Sequence, residues 1–161
     1  VAKGIGGGFP LGAVLAKETV AKALVPGTHG STFGGNPLAC AAGNAVLDVI
    51  LAPGFLNEVA RKGGVLWAAM GKLVAEFPRV FVDVRGAGLI QGLKCVVPAG
   101  EVQAAFTAAG LLTVTAGDNV VRLVPPLVIT DADIAAAVVM MRQGAAEVQA
   151  AHDAAGKVAA Q

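Results

Sequence analysis

The 161-residue sequence has no tyrosine, one tryptophan and few charges, since only 14% of its residues are Asp, Glu, Lys or Arg. Its 12 basic and 11 acidic residues give a formal net charge of +1, without any run of lysine or arginine. This balance gives no electrostatic basis for binding nucleic acid or a membrane surface. Hydrophobic residues make up 55% of the chain, which excludes the polar, highly charged composition of a disordered protein.

Cysteine is equally scarce. Cys40 and Cys95 are isolated in the sequence and do not form a C-x-x-C pair. Two isolated thiols are typical of a protein in a reducing compartment, so we expect a cytoplasmic location. The first residues also lack a basic segment followed by an unbroken apolar run, so no cleavable secretion signal is predicted.

Long apolar runs of the membrane-spanning kind are absent, although the mean hydropathy is +0.70. The uncharged stretch over residues 30–47 is interrupted by serine, threonine, asparagine and proline. A spanning helix needs about twenty mostly apolar residues, so none is predicted.

Several common chemical motifs are missing as well. His29 and His152 have no carboxylate or thiol at ligand spacing, so no metal site is predicted. Residues 4–9 fail the dinucleotide-binding glycine pattern, because Phe9 replaces its third glycine. There is also no nucleophile elbow for Ser-His-Asp catalysis.

The turn residues and apolar periodicities divide the chain into residues 1–53 and residues 54–161. The first part is rich in loops and ends in a helix that Asn36 caps, while the second reads as a compact α+β unit. Because two glycine loops cannot bury much surface, we expect residues 1–36 to be exposed or mobile by themselves. The predicted helices cover residues 17–24, 37–51 (buried on all sides), 55–77 (weakened or kinked near Gly63-Gly64), 101–109 and 131–151 (capped by Thr130), with a frayed tail over 152–161. The predicted strands cover residues 13–16, 80–84, 89–97, 111–115 and 120–123, with a turn at 85–88.

The first part of the chain holds the chemistry. Lys3 lies in a glycine-rich loop, where loss of hydration favours the free amine that attacks a carbonyl. Ser31 and Thr32 lie in a second glycine-rich loop that leads into a helix, a pattern that suits a phosphate group. An aldehyde-binding lysine with a phosphate cradle is the chemistry of pyridoxal phosphate, whereas ordinary loops with a solvated lysine are the alternative.

Three longer motifs point to a family. Ala-Lys-Gly-Ile-Gly-Gly-Gly-Phe-Pro-Leu-Gly-Ala at residues 2–13 resembles the cofactor-lysine segment of class III pyridoxal-phosphate aminotransferases. His-Gly-Ser-Thr-Phe-Gly-Gly-Asn-Pro-Leu-Ala at residues 29–39 is similar to the same family's phosphate-contact segment. Val-Arg-Leu-Val-Pro-Pro-Leu at residues 121–127 resembles the signature of its C-terminal domain. The resemblance covers residues 1–150.

This resemblance implies an α/β fold in which the end of the large cofactor-binding domain, residues 1–53, is followed by the small C-terminal α+β domain, residues 54–161. It implies a homodimer that moves an amino group between N-acetylornithine and 2-oxoglutarate in arginine biosynthesis. Ornithine, succinylornithine and 4-aminobutyrate remain alternative amino donors. A non-catalytic truncated fragment remains the alternative from another functional class.

The resemblance also implies residue roles. Lys3 is expected to bind pyridoxal phosphate covalently and to move the substrate proton, with a surface lysine as the alternative. Thr32 is expected to contact the cofactor phosphate across the dimer interface and Ser31 to lie near the bound substrate, with turn hydroxyls as the alternative. Arg122 is expected to bind a substrate carboxylate, with a structural ion pair as the alternative.

Other functional groups of the family precede the lysine in sequence. These groups are the acidic partner of the pyridine nitrogen, the aromatic ring that stacks on the cofactor, another phosphate loop and a substrate arginine. The resemblance therefore implies that the chain is roughly the C-terminal two-fifths of an enzyme. We expect the 161 residues alone to be inactive or nearly so.

Overall fold

A computed structural model describes residues 1–159, with side chains up to Ala155. The chain divides into two compact units, and the division falls between Leu56 and Asn57. Each unit is described by itself below. The assignment of residues 1–53 and 54–161 to a large and a small domain stays a prediction.

The first unit contains a 3-10 turn over Lys3–Gly6, a short helix α1 over Glu18–Ala21 and a longer helix α2 over Pro37–Ile50. The predicted start of α2 is confirmed, because the Ala39 amide donates a 2.9 Å hydrogen bond to Asn36 Oδ1. Such a side chain satisfies an amide that has no partner inside the helix. The residue types at 36 and 37 therefore fix where α2 begins.

The first unit has little core of its own, as its sequence predicts. Two other predictions are wrong there. Residues 13–16 form no strand, and the side chains of Val14 and Leu15 are 90% and 83% exposed. A strand needs a partner for its hydrogen bonds, and the described residues offer none. Helix α2 is predicted to be buried on all sides, yet only Ala39 and Gly43 of this helix are buried.

The second unit contains an antiparallel sheet and three helices. Helix α3 runs over Phe55–Glu76, so its first two residues are the last two of the first unit. The sheet has the order β1-β2-β4-β3, with every neighbouring pair antiparallel. The remaining elements are β1 (Phe81–Ala87), β2 (Ile90–Cys95), α4 (Ala99–Ala108), β3 (Val114–Ala116), β4 (Val120–Leu123) and α5 (Asp131–Ala159). This α/β architecture agrees with the predicted fold class.

The core of the second unit lies between one face of the sheet and the three helices. Leu93 of β2 and Val121 of β4 are fully buried, as are Met70 of α3, Phe106 of α4 and Met141 of α5. The amphipathic pattern predicted for residues 55–77 is confirmed by the burial of Leu66, Met70 and Leu73 on one side of α3. Burial of this apolar face supplies the main stabilisation of the unit.

Helix α3 continues without a break through Gly63 and Gly64, where it is predicted to be weakened or kinked. Gly63 serves a different purpose, since it is buried and lies against Gly88 between β1 and β2. A Cβ atom on Gly63 would lie 2.7 Å from the Gly88 carbonyl oxygen. The glycine therefore provides room for the hairpin rather than a bend in the helix.

The turn of the first hairpin lies at a different position from the predicted turn over residues 85–88. Residues 85–87 belong to β1, and the turn consists of Gly88 and Leu89. Gly86 has a φ of 124°, a conformation that residues with a side chain rarely adopt. Glycine at this position therefore allows β1 to continue to Ala87. The predicted strand over 120–123 is confirmed, and it follows a turn in which Asp118 and Asn119 have φ values of 61° and 54°. Two positive φ values are typical of the tight turns that join antiparallel strands.

The last helix begins where predicted and ends later. The Thr130 amide donates to Asp133 Oδ2 at 3.0 Å and the Asp133 amide donates to Thr130 Oγ1 at 3.1 Å, so both ends of this capping box are satisfied. The predicted end near residue 151 is wrong, because α5 continues to Ala159. His152 pairs with Glu101 of α4 and Asp153 pairs with Arg79, and these contacts hold the added turns. Residues 160–161 of the predicted frayed tail lie outside the described residues.

Among the described residues, no single helix has the length and apolar content needed to cross a membrane. Helices α2 and α3 meet that criterion only when they are taken together as a bent pair.

Candidate active site

Lys3 lies in a loop that the backbone closes. The Val1 nitrogen donates to the Ala13 carbonyl at 2.8 Å, and the Ala13 amide donates to the Val1 carbonyl at 2.9 Å. Lys3 begins the 3-10 turn with a φ of 58°, in the left-handed region that non-glycine residues seldom adopt. Its side chain is exposed, whereas the sequence predicts a lysine in a desolvating apolar loop. The backbone around Lys3 is thus constrained while its amine is accessible.

Helix α2 supports this lysine loop from behind. A Cβ atom on Gly43 of α2 would lie 2.7 Å from a methyl group of Leu11, so the missing side chain provides room for Leu11. A Cβ atom on Gly7 would lie 2.7 Å from Cγ2 of Val46, so the loop approaches α2 closely at a second point. Gly7 also has a φ of 57°, which ends the 3-10 turn. Two glycines therefore determine how the lysine loop packs on the helix.

The second glycine loop leads directly into the N-terminus of α2. Asn36 Nδ2 donates to the Phe33 carbonyl at 2.8 Å, so the same residue caps the helix and fixes the preceding turn. Ser31 and Thr32 are exposed, and neither hydroxyl forms a hydrogen bond with another described residue. The turn-capping alternative for these two hydroxyls therefore finds no support in the described part of the chain.

The loops that carry Lys3 and the Ser31-Thr32 pair meet helix α2 at different places. The lysine loop packs on the side of α2 at Gly43 and Val46, and the hydroxyl pair precedes its N-terminal cap. No hydrogen bond joins Lys3 to either hydroxyl among the described residues. The first unit therefore offers one accessible amine, on a loop that packs on the side of α2, and two accessible hydroxyls just before the N-terminus of α2.

Arg122 belongs to the second unit, on strand β4. It lies opposite Gly92 of β2 and opposite Val114 of β3, and its side chain is exposed. Residues that pair directly across strands project to the same face of a sheet. Because Val121 and Leu123 point into the core, Arg122 lies on the open face.

Arg122 differs from the other four arginines of the chain, each of which is paired with at least one carboxylate. Among the described residues, the Arg122 guanidinium has no carboxylate within ion-pair distance. The structural ion pair that is the alternative for Arg122 is therefore not formed in this part of the chain. The paired arginines and their partners are Arg61 with Glu58 and Asp131, Arg79 with Asp153, Arg85 with Asp118, and Arg142 with Glu76.

An ion-pair cluster lies at the turn before β4. Asp118 accepts hydrogen bonds from Lys94 and Arg85. The hydrogen bond from Lys94, followed by the one from Arg85, holds the pKa of the Asp118 carboxyl below its usual value. Lys94 and Arg85 lie on the same face of the sheet as Arg122, and both are paired with the one Asp118 carboxylate.

Metal and thiol chemistry find little support. Within the described part of the chain, no group of three or more His, Cys, Asp or Glu side chains is arranged to hold a metal ion. Cys40 is exposed on α2 and Cys95 is buried on β2. Burial raises the pKa of the Cys95 thiol, which disfavours the reactive thiolate.

Sequence reasoning misses two glycines that lie against the segments bearing candidate residues. Gly43 provides room for the lysine loop, and Gly92 lies opposite Arg122. The available signal is an isolated glycine within an otherwise helical or strand-like pattern, which indicates a close approach of another segment. The partner of that approach becomes visible only in the fold.

Comparison with known proteins identifies the family. Residues 1–144 match the aminotransferase class-III family. The chain is 53% identical over 145 residues to acetylornithine aminotransferase from Mesorhizobium japonicum, covering 90% of the chain and 36% of that relative. It superposes on the acetylornithine aminotransferase structure from Elizabethkingia anophelis with a TM-score of 0.80 and 34% identity, covering 91% of this chain and 39% of the other.

A second solved structure agrees in fold. The ornithine aminotransferase from Toxoplasma gondii, described with partial occupancy of PLP at its active site, gives a TM-score of 0.83 and 30% identity. That superposition covers 94% of this chain and 37% of the other. The chain thus spans between a third and two-fifths of the length of these relatives. The chain belongs to the class-III aminotransferase family.

Proposed function

We propose that these residues are the lysine-bearing and C-terminal part of an acetylornithine aminotransferase. The complete protein would move an amino group between N-acetylornithine and 2-oxoglutarate, with pyridoxal phosphate as cofactor, in arginine biosynthesis. Residues 1–53 would end its large domain and residues 54–161 would form its small domain. We further propose that it acts as a cytoplasmic homodimer and that the 161 residues alone are inactive.

The observation that carries this proposal is the sequence identity with acetylornithine aminotransferases over nine-tenths of the chain. The accessible groups of the first unit are compatible with the cofactor. Pyridoxal phosphate needs a primary amine for its aldehyde and hydrogen-bond donors for its phosphate. Lys3 offers an exposed amine, and Ser31 and Thr32 offer hydroxyls that no other described residue engages. The donor set therefore fits the cofactor.

Lys3 has two proposed tasks. Its Nζ atom anchors the cofactor, and once released as a free amine it accepts and returns a proton at that same nitrogen. Bound pyridoxal phosphate supplies an electron sink that stabilises negative charge at the substrate carbon. The closed loop between Val1 and Ala13 keeps the lysine backbone in one conformation, which favours repeated return of Nζ to the same place.

Thr32 is proposed to donate a hydrogen bond from its hydroxyl to the cofactor phosphate across the dimer interface. Ser31 is proposed to contact the amino donor. Both hydroxyls precede the Asn36-capped N-terminus of α2, where unpaired amides favour negative charge. This placement suits a phosphate better than an apolar ligand.

Arg122 is proposed to bind a substrate carboxylate. A guanidinium binds a carboxylate through two parallel hydrogen bonds, but an arginine that is already paired with an acidic side chain is less available. Arg122 has no such partner among the described residues, unlike the other four arginines. It is therefore the arginine of this chain that is best suited to an external carboxylate.

The test is a transamination assay on the complete protein that contains this chain. We expect 2-oxoglutarate to be converted to glutamate with N-acetylornithine as the preferred donor. Preference for ornithine, succinylornithine or 4-aminobutyrate would contradict the proposed donor but keep the reaction class. Absence of glutamate formation with all four donors, in a folded protein supplied with cofactor, would overturn the proposed function. Activity of the 161 residues alone would contradict their proposed inactivity.

A further inference from the structure

Residues of β4 occupy the space that a side chain on Gly92 would need. An ideal Cβ atom on Gly92 would lie 2.5 Å from Cγ1 of Val120 and 3.0 Å from the Val121 carbonyl oxygen. It would also lie 3.6 Å from Cα of Arg122. Gly92 does not have a positive φ, so its backbone conformation is open to any residue. Space, rather than conformation, is therefore what requires glycine at this position.

The close approach occurs at the point where Arg122 is held. Gly92 and Arg122 are directly paired in the β2–β4 register, and Val120, which a Cβ atom would strike, projects to the same face as Arg122. A side chain at position 92 would push the Val120–Arg122 segment away from β2. The displacement would be passed to the Arg122 side chain, because no ion pair with another described residue fixes its guanidinium.

From these contacts we propose that Gly92 is the positioning residue for Arg122. Its missing side chain sets the spacing of β2 and β4, and this spacing places the guanidinium where it can bind a substrate carboxylate through two hydrogen bonds. Such pairing is sensitive to small displacements, since both hydrogen bonds depend on the orientation of one planar group. The proposal rests on the proposed function, in which Arg122 binds that carboxylate.

The test measures the accessibility of Arg122 directly. In the complete protein loaded with pyridoxal phosphate, phenylglyoxal modifies accessible arginines, and peptide mass spectrometry reports the rate at Arg122. Glutarate, a dicarboxylate that cannot exchange an amino group, serves as the probe. We expect glutarate to protect Arg122 from phenylglyoxal in the protein without substitutions. In Gly92→Ala, protection should require on the order of tenfold more glutarate.

Matched variants separate positioning from general damage. Gly100→Ala is the control, because a Cβ atom on Gly100 would meet nothing within 4 Å. Glutarate should protect Arg122 in Gly100→Ala as well as in the protein without substitutions. Gly92→Ala combined with Val120→Ala removes the 2.5 Å collision and leaves the 3.0 Å approach to the Val121 carbonyl oxygen, so it should restore most of the protection seen in Val120→Ala alone. If Gly92→Ala does not fold, this comparison between the double variant and Val120→Ala still decides the matter.

Three results would overturn the proposal. The first is unchanged glutarate protection in a folded Gly92→Ala variant. The second is a loss of protection that Val120→Ala does not reverse, and the third is an equal loss in Gly100→Ala. The transamination assay keeps the two proposals apart. If glutarate protects Arg122 in the protein without substitutions but that protein has no transaminase activity, the proposed function is contradicted. If the protein is active but glutarate does not protect Arg122, the roles of Arg122 and Gly92 are contradicted.

Discussion

Gly63 of α3 and Gly88 of the β1–β2 turn lie so close together that their backbones touch. A Cβ atom on Gly63 would be 2.7 Å from the Gly88 carbonyl oxygen and 3.0 Å from its carbonyl carbon. The buried Gln91 side chain joins the same two residues, because its Nε2 donates to the carbonyl oxygens of both Gly63 and Gly88. This contact fixes the helix to the hairpin that leads into β2, the strand opposite Arg122.

The contact predicts opposite effects at two adjacent glycines. Gly63→Ala should lower the free energy of unfolding by about 1–3 kcal/mol, because the new methyl group meets backbone that cannot move aside. Gly64→Ala should raise it by up to about 1 kcal/mol, because Gly64 is exposed and has nothing within 4 Å of its Cβ position. Urea unfolding of both variants measures the difference. Equal effects of the two substitutions would contradict the close contact.

Asp118 predicts a pH dependence of stability. The hydrogen bonds from Lys94 and Arg85 lower the pKa of its carboxyl in the folded protein, so the ionised form favours folding. This stabilisation is complete above the unfolded pKa, about 3.9, and is lost as the pH falls through the lower folded pKa. Asp118→Asn keeps a residue that tolerates positive φ while removing the charge.

We therefore expect Asp118→Asn to lower stability at pH 6 and to have less effect as the pH falls below about 4. Unfolding measured across this range gives the comparison. Asp48→Asn is the control, because Asp48 forms no ion pair with another described residue. A constant difference between Asp118→Asn and the unmodified protein from acid to neutral pH would refute the predicted linkage.

Asn36 predicts local protection at the start of α2. Asn36→Ala removes the acceptor of the Ala39 amide and should cost about 1 kcal/mol, which corresponds to roughly fivefold faster hydrogen exchange at that amide. Asn44→Ala in the same helix is the control, because Asn44 is exposed and alanine favours a helix interior. Equally accelerated exchange of the Ala39 amide in the control variant, or no acceleration in Asn36→Ala, would argue against the cap.

Local sequence signals account for the parts of the fold that were predicted correctly. The starts of α2 and α5 depend on Asn36 and Thr130, whose side chains bond to amides three residues later. The turn before β4 follows from Gly117-Asp118-Asn119, since Asp and Asn tolerate positive φ. These features lie within a few residues of the groups that cause them, so the sequence alone is sufficient.

Contacts between distant residues account for the wrong predictions. The end of α5 depends on Arg79 and Glu101, which are more than fifty positions away from their partners on α5. The sequence around Gly63 indicates a weak point or kink in the helix, and its contact with Gly88 is visible only in the fold. In the candidate site, the motifs indicate Lys3, Ser31, Thr32 and Arg122, and the structure shows that their side chains are exposed. The supporting Gly43 and Gly92 become apparent only from neighbours that the fold provides.

The most direct test of the account is whether Lys3 carries the cofactor. The complete protein is incubated with pyridoxal phosphate, reduced with borohydride and digested, and the modified lysine is mapped by mass spectrometry. We expect one pyridoxyl group on Lys3 Nζ, lost in Lys3→Ala and retained in the control Lys17→Ala. A pyridoxyl group on another lysine, or none under conditions that label a related aminotransferase, would contradict the assignment of Lys3 and the account built on it.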